Sequence, residues 1–142
     1  ICIAPDEETA KEFNDVMRIE CRGSWSNGNR AAMSVIAGIV RDDSLFESVK
    51  NERDYYMEML AKRGRAFMEA ARAEGLATCP YDAGFFITIP CENAEEAGLE
   101  LQKHDVFAIV IGKGIRVSVA SNTEEECRIM PAKIKAAIES CK

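Results

Sequence analysis

Residues 44–75 read SLFESVKNERDYYMEMLAKRGRAFMEAARAEG, and this stretch decides the fold. Ser44 and Glu47 have the spacing of a capping box, and helix formers continue to Glu74. Gly75 then stands where a helix C-terminus favours a residue free to take positive φ. Apolar Leu45, Val49, Tyr56, Leu60, Phe67 and Ala71 alternate steps of four and seven, a repeat of 11 close to the helical period. One nearly straight apolar stripe therefore runs along a single helix of about 30 residues, about 45 Å at ~1.5 Å per residue. That is longer than a small domain is wide. A coiled coil wants a 3.5-residue period, so the stretch reads as a helix bridging two domains.

Beyond Gly75 the pattern turns to strands. Phe85, Ile87 and Ile89 alternate with Phe86 and Thr88 up to Pro90, which predicts a strand. Asn93 and Glu96 predict a second capping box and a short helix to about His104. Residues Phe107–Ile111 read as a buried strand, and Ile115, Val117 and Val119, alternating with Arg116 and Ser118, as a half-buried one. Asn122, Thr123 and Glu124 to Glu126 begin a turn of helix, and Pro131, at a first-turn position, opens the last amphipathic helix through Ile134 and Ile138. The C-terminal half is therefore α/β, a short sheet with flanking helices on one side.

Before the long helix, Asp6, Glu7 and Glu8 suit the positive end of a helix over 6–22, with Phe13, Val16, Met17 and Cys21 apolar and Gly23 as its stop. A polar loop from Arg22 to Arg30 holds Trp25, the single tryptophan. Residues 31–40, AAMSVIAGIV, are apolar almost all round and predict a buried helix.

The 142 residues suit one domain, or one domain and part of another. With 47% hydrophobic and 30% charged residues, the composition is that of a globular protein. A net charge of −6 argues against a nucleic-acid binder, which needs a basic surface, and against docking on an anionic membrane. The longest apolar run, Val106–Gly112, is far short of the roughly 18 residues of a spanning helix. No basic-then-apolar leader opens the chain, and a start at Ile1 suggests a segment of a longer protein. The six cysteines, at 2, 21, 79, 91, 127 and 141, contain no CxxC and read as reduced intracellular thiols. His104 is the only histidine, which argues against zinc.

Arg116 is the sharpest single candidate. It points away from the core face of its strand, directly after Gly112-Lys113-Gly114, where its planar fork could bind a carboxylate. The plainer alternative is an edge-strand arginine that solvates the sheet. Arg22 could receive a second carboxylate beside an aromatic wall, or simply favour the C-terminal end of its helix. Gly112-x-Gly114 reads as a strand-connecting turn, because Val117 occupies the third glycine position of a phosphate loop. His104 reads as a solvated end of a charged helix, and Tyr55 and Tyr56 as packing residues. No nucleophile elbow, P-loop or metal triad is present, so the sequence does not contain a complete active site.

In order, these features resemble the C-terminal third of a fold-type-I, pyridoxal-phosphate-dependent aminotransferase of the aspartate/aromatic group (class I/II). The resemblance covers essentially the whole chain. Arg22-Gly23-Ser24-Trp25-Ser26-Asn27 resembles the family's Arg-x-x-aromatic-Ser-Asn loop, although Gly28-Asn29 stands where two prolines are frequent. The long helix resembles the one that crosses to the small domain. Asp82-Ala83-Gly84-Phe85-Phe86 resembles the Gly-aromatic strand, and Gly114 to Ala120 the arginine strand.

The resemblance implies the end of a large cofactor domain over 1–42, then the bridging helix and small domain over 43–142. It implies that Arg116 binds the substrate α-carboxylate. Arg22 would reach a distal carboxylate in a neighbouring subunit's site, Phe85 or Phe86 would flank the substrate, Trp25 would wall the entrance, and Asn27 would line the same loop. It implies a cytoplasmic homodimer that moves amino groups between amino acids and 2-oxo acids, with pyridoxal phosphate as electron sink. None of the eight lysines has the family's Ser-x-x-Lys-like setting, so the cofactor lysine is expected upstream, with no cofactor and no catalytic residue in this chain. The alternative from another class is a free-standing, non-catalytic α/β ligand-binding or regulatory module.

Overall fold

A computed structural model describes residues 3–141; Ile1, Cys2 and Lys142 therefore lie outside the described residues. It is α-dominated, with five helices and a three-stranded antiparallel sheet among those residues. The chain divides into two compact units, Ile1–Lys50 and Asn51–Lys142, and the boundary falls inside the long helix.

The first unit holds α1 (Glu7–Ser24), α2 (Arg30–Arg41) and the start of α3 (Asp43–Glu74). Asp6 caps α1 by accepting from the Thr9 amide at 2.7 Å, with Glu7 and Glu8 in the first turn. Gly23 does not stop this helix, which runs on to Ser24, with Trp25 as its C-cap. Asn29 caps α2 by accepting from Ala32 N at 3.1 Å. Contrary to the expectation from its apolar sequence, α2 buries none of its residues, and Met33, Val35, Ile36 and Val40 are exposed. Hydrophobicity states what a helix can bury; within this unit no layer covers it.

The expected capping box at Ser44 and Glu47 does not form. The residue that caps α3 is Asp42, whose Oδ1 accepts from both Ser44 N and Leu45 N at 3.0 Å. A carboxylate two residues earlier captures two of the free amides, so Ser44 is already inside the helix. At the other end, Gly75 takes φ +65°, Gly75 N donates to Arg72 O, and Leu76 N donates to Ala71 O. That pair of bonds is a Schellman motif.

In the second unit the sheet runs in the order β1 (Phe86–Pro90), β3 (Gly114–Ser118), β2 (Ile109–Val110). The register sets Ile87 opposite Val117 and Ile89 opposite Ile115, so one face is wholly apolar and buried. It joins Phe67 and Ala71 of α3, Ala97 and Leu101 of α4 (Ala94–Gln102), and Cys127, Ile134 and Ala137 of α5 (Glu124–Ser140) in one core. The stripe of α3 is thus buried at Phe67 and Ala71, while Leu45, Val49 and Tyr56 are exposed. Arg63 Nη1 donates to Ala120 O at 2.9 Å, fastening α3 to the end of β3.

Three local expectations are corrected here. The Phe107–Ile111 segment is an edge strand of two residues with Phe107, Ile109 and Ile111 exposed, not a buried strand. Asn93 does not cap α4 with its side chain, because its Nδ2 donates instead to Cys141 O at 2.6 Å. Pro131 lies inside α5 rather than opening it, since Thr123 and Glu126 form a reciprocal capping box eight positions earlier. The ring of Pro131 is buried in the core, and its packing offsets the amide bond the helix loses there. Gly112, at φ +53°, is the strand-connecting turn that the sequence suggested, with Ile111 N donating to Gly114 O at 2.9 Å.

Candidate functional site

The six candidate residues fall into two sets, one in each unit. In the second unit, antiparallel pairing places Arg116 directly opposite Thr88 on one side and Ile109 on the other. Arg116 is therefore on the central strand, not an edge strand, and the solvating-edge alternative does not apply. Because successive side chains alternate faces, Phe86, Thr88, Arg116 and Ser118 lie on the face opposite the core.

Phe86 pairs with Ser118, which makes it a diagonal neighbour of Arg116, and diagonal neighbours in a sheet are within reach of aromatic and long side chains. The contact is made: Arg116 Cζ stands 4.4 Å from the centroid of the Phe86 ring. Phe85 meets Phe86 edge to face, with centroids 6.4 Å apart and planes at 78°. Of the two phenylalanines, Phe86 therefore touches the arginine and Phe85 braces Phe86. Arg116 makes no hydrogen bond and no ion pair among the described residues, and its Nε is buried without a partner. A buried donor left unpaired costs on the order of 1–3 kcal/mol, so this guanidinium is held in place without being satisfied.

In the first unit, Arg22 ends α1, as a cation at the negative end of a helix should. Its Nη1 donates to Ser26 Oγ at 2.8 Å and to Ser26 O at 3.3 Å, and Ser26 takes φ +70°. The arginine clasps the loop that follows it. Trp25 is 80% exposed, and Asn27 is exposed in the same loop. Arg22, Ser26, Asn27 and Gly28 line one open groove with Asn14, Met17 and Cys21.

Among the described residues, the other groups that the sequence singled out lie apart from these two sets. His104 is exposed, with Nε2 3.7 Å from Glu100 Oε1. Tyr55 and Tyr56 are exposed rather than packed, meeting edge to face at 5.3 Å. Cys91 and Cys127 are free thiols pushed up in pKa by burial, which disfavours the thiolate. Among the described residues no group of three or more His, Cys, Asp or Glu could hold a metal. Among those residues no helix is long and apolar enough to cross a membrane.

A cofactor that bonds to a lysine needs an amine kept unprotonated by burial or by a neighbouring cation. None of the described lysines is buried. Lys103 and Lys113 are shifted the other way, raised by their hydrogen bonds to Glu100 and Glu92. Among the described residues, then, no lysine has the buried setting that a covalent hold on pyridoxal phosphate favours.

Two features of the second unit were missed in the sequence. Tyr81 packs against Gly64 of α3 and its Oη donates to Gly84 O at 2.9 Å, shaping a groove of about 640 Å³ that Phe85, Met57, Met68, Arg65 and Arg72 also line. The glycine inside an otherwise strong helix was the available signal. The second is the reciprocal bonding of the Thr123–Glu126 box: the sequence placed the start of a helical turn there, and the Thr-x-x-Glu spacing was the signal for the box itself.

No family model matches the chain, and no curated protein matches it. Among solved structures, it is similar to the crystal structure of an aminotransferase from Anaerococcus prevotii, with a TM-score of 0.88 and 28% sequence identity. The similarity covers 96% of this chain and 33% of that one. The chain thus spans about a third of the length of the protein it matches, and an aminotransferase-related segment is what the likeness supports.

Proposed function

We propose that the chain is the C-terminal portion of a pyridoxal-phosphate-dependent aminotransferase of the aspartate/aromatic kind. Residues 1–42 end the large domain, and 43–142 form the bridging helix and small domain. The observation that carries this reading is the likeness to an aminotransferase over 96% of the chain. The buried, unpartnered Nε of Arg116, on the sheet face opposite the core, supports it as well.

On this reading Arg116 receives the α-carboxylate common to all amino-acid and 2-oxo-acid substrates, through two charge-assisted hydrogen bonds. Such a pair fixes the orientation of the substrate as well as binding it. Phe85 and Phe86 keep the surroundings of that pair apolar and so strengthen it. Arg22 reaches the distal carboxylate of a dicarboxylic substrate in the neighbouring subunit of a homodimer, with Trp25 and Asn27 beside it. To do so its fork must leave Ser26, which the sequence suggested no reason to expect. The cofactor and its lysine belong to residues beyond this chain, and the protein works in the cytoplasm.

The test is amino transfer by the longest open reading frame that contains this sequence, with aspartate or phenylalanine as donor and 2-oxoglutarate as acceptor. Turnover with either donor supports the reading. A purified, folded product that binds pyridoxal phosphate but transfers no amino group overturns it, and so does one that begins at Ile1 and needs no further domain.

A further inference from the structure

A guanidinium that must meet an incoming carboxylate has two conflicting needs. It has to be held still, because a long side chain otherwise loses rotamer freedom on binding. It also has to keep its charge and its N–H donors free. An acidic neighbour would hold it but neutralise it, and a carbonyl neighbour would hold it but occupy donors. An aromatic ring does neither, since it attracts the cation through its negative face and accepts no hydrogen bond from the fork.

Arg116 is held in this third way. Its Cζ is 4.4 Å from the centroid of Phe86, and it makes no ion pair and no hydrogen bond among the described residues. The ring is brought there by register, as the diagonal neighbour across the β1–β3 pair, and is itself braced edge to face by Phe85. Phe86 is 47% exposed, so it is not needed to fill the core formed by Ile87 and Ile89 on the other face of its strand. A half-exposed phenylalanine in that position is unexplained by packing alone.

We infer that Phe86 is a positioning residue for Arg116: its ring holds the guanidinium by cation–π attraction and leaves the donors free for a carboxylate. This rests on reading Arg116 as the carboxylate-binding residue. It assigns the two phenylalanines different tasks, Phe86 acting on the arginine and Phe85 acting on Phe86, where the resemblance implied that either one flanks the substrate.

The experiment uses the longer protein that carries this chain, labelled with ¹⁵N-arginine, following the Nε–Hε resonance of Arg116, assigned through Arg116→Lys. Propionate is the probe, and propylammonium is the control of equal size without a carboxylate. In the unaltered chain propionate should shift the resonance to saturation and propylammonium should not. Phe86→Leu should move the resonance before any ligand is added, because the ring current is gone, and weaken propionate roughly three- to thirtyfold. Phe86→Trp should restore affinity, since it supplies a stronger ring face. Pentafluorophenylalanine at position 86 keeps shape but inverts the charge of the face, and should weaken propionate as Leu does; this arm stands if the Leu variant fails to fold. Equal affinity in the unaltered chain and the pentafluoro variant overturns the positioning role alone. No propionate response at Arg116 in the unaltered chain overturns the carboxylate reading, and the positioning role with it.

Discussion

Tyr81 occupies the space that a side chain on Gly64 would need: a Cβ there would stand 2.5 Å from Tyr81 Oη and 2.9 Å from its Cε1. The hydroxyl is fixed by its bond to Gly84 O, and burial raises its pKa. A helix thus accepts its least favourable non-proline residue so that the segment before β1 can lie against it.

Gly64→Ala should therefore destabilise the second unit, although alanine is the better helix former. The helical gain is about 1 kcal/mol. Overpacking costs roughly 1–3 kcal/mol, and displacing Tyr81 from Gly84 costs about 1 kcal/mol more. The expected net loss is about 1–3 kcal/mol by chemical denaturation. In a Tyr81→Ala background the same substitution should become stabilising, and a double-mutant cycle reads the change of sign.

Asp42→Ala should weaken the start of α3 by about 1 kcal/mol, since its Oδ1 serves two amides. Ser44→Ala should change stability by less than about 0.5 kcal/mol, as an exposed residue inside a helix. Hydrogen exchange at the Ser44 and Leu45 amides checks both, and it should accelerate in the Asp42 variant only.

Acid should loosen the start of α5. Glu126 Oε2 accepts from Thr123 N at 2.7 Å and from Thr123 Oγ1 at 2.9 Å, and these bonds lower its pKa. A carboxylate depressed on folding contributes stability above its unfolded value, about 4.3, and loses it as pH falls through the folded value. Exchange at the first-turn amides of α5 should therefore rise on acidification. Glu126→Gln should exchange faster at neutral pH and lose that part of the pH dependence.

Periodicity made the elements of the second unit legible, because one buried sheet face needs alternating Ile87, Ile89, Ile115 and Val117. The same signal misled at Phe107–Ile111, where five apolar residues form only a two-residue edge strand. An apolar run says nothing about how many neighbours a strand has. Caps were harder still. Asp42 outcompeted Ser44 by lying two residues earlier, and Asn93 spent its amide on Cys141, two choices that depend on chain direction and not on residue type. Pro131 was misplaced because its rule concerns an exposed helix start, while here its ring lies in the core. Arg116 was visible as a candidate from alternation alone, but its platform was not. The diagonal contact with Phe86 requires the β1–β3 register, which sits 30 residues away in sequence.

The two arginines should separate in kinetics on the longer protein that carries this chain. If Arg116 holds the carboxylate shared by every substrate, Arg116→Ala should lower kcat/KM for aspartate and phenylalanine alike. Loss of a bidentate charge-assisted pair costs a few kcal/mol, which corresponds to roughly a hundredfold or more. Arg22→Ala should instead harm aspartate and spare phenylalanine, which has no second carboxylate. Arg22 is also bound to Ser26 in this structure, so its substitution removes a loop contact as well as a charge. Ser26→Ala separates these effects: it removes the Oγ contact and keeps the charge, and it should leave aspartate selectivity intact. Equal losses on both substrates from Arg22→Ala would confine that residue to the loop, and normal kinetics in Arg116→Ala would remove the β3 arginine from the substrate site.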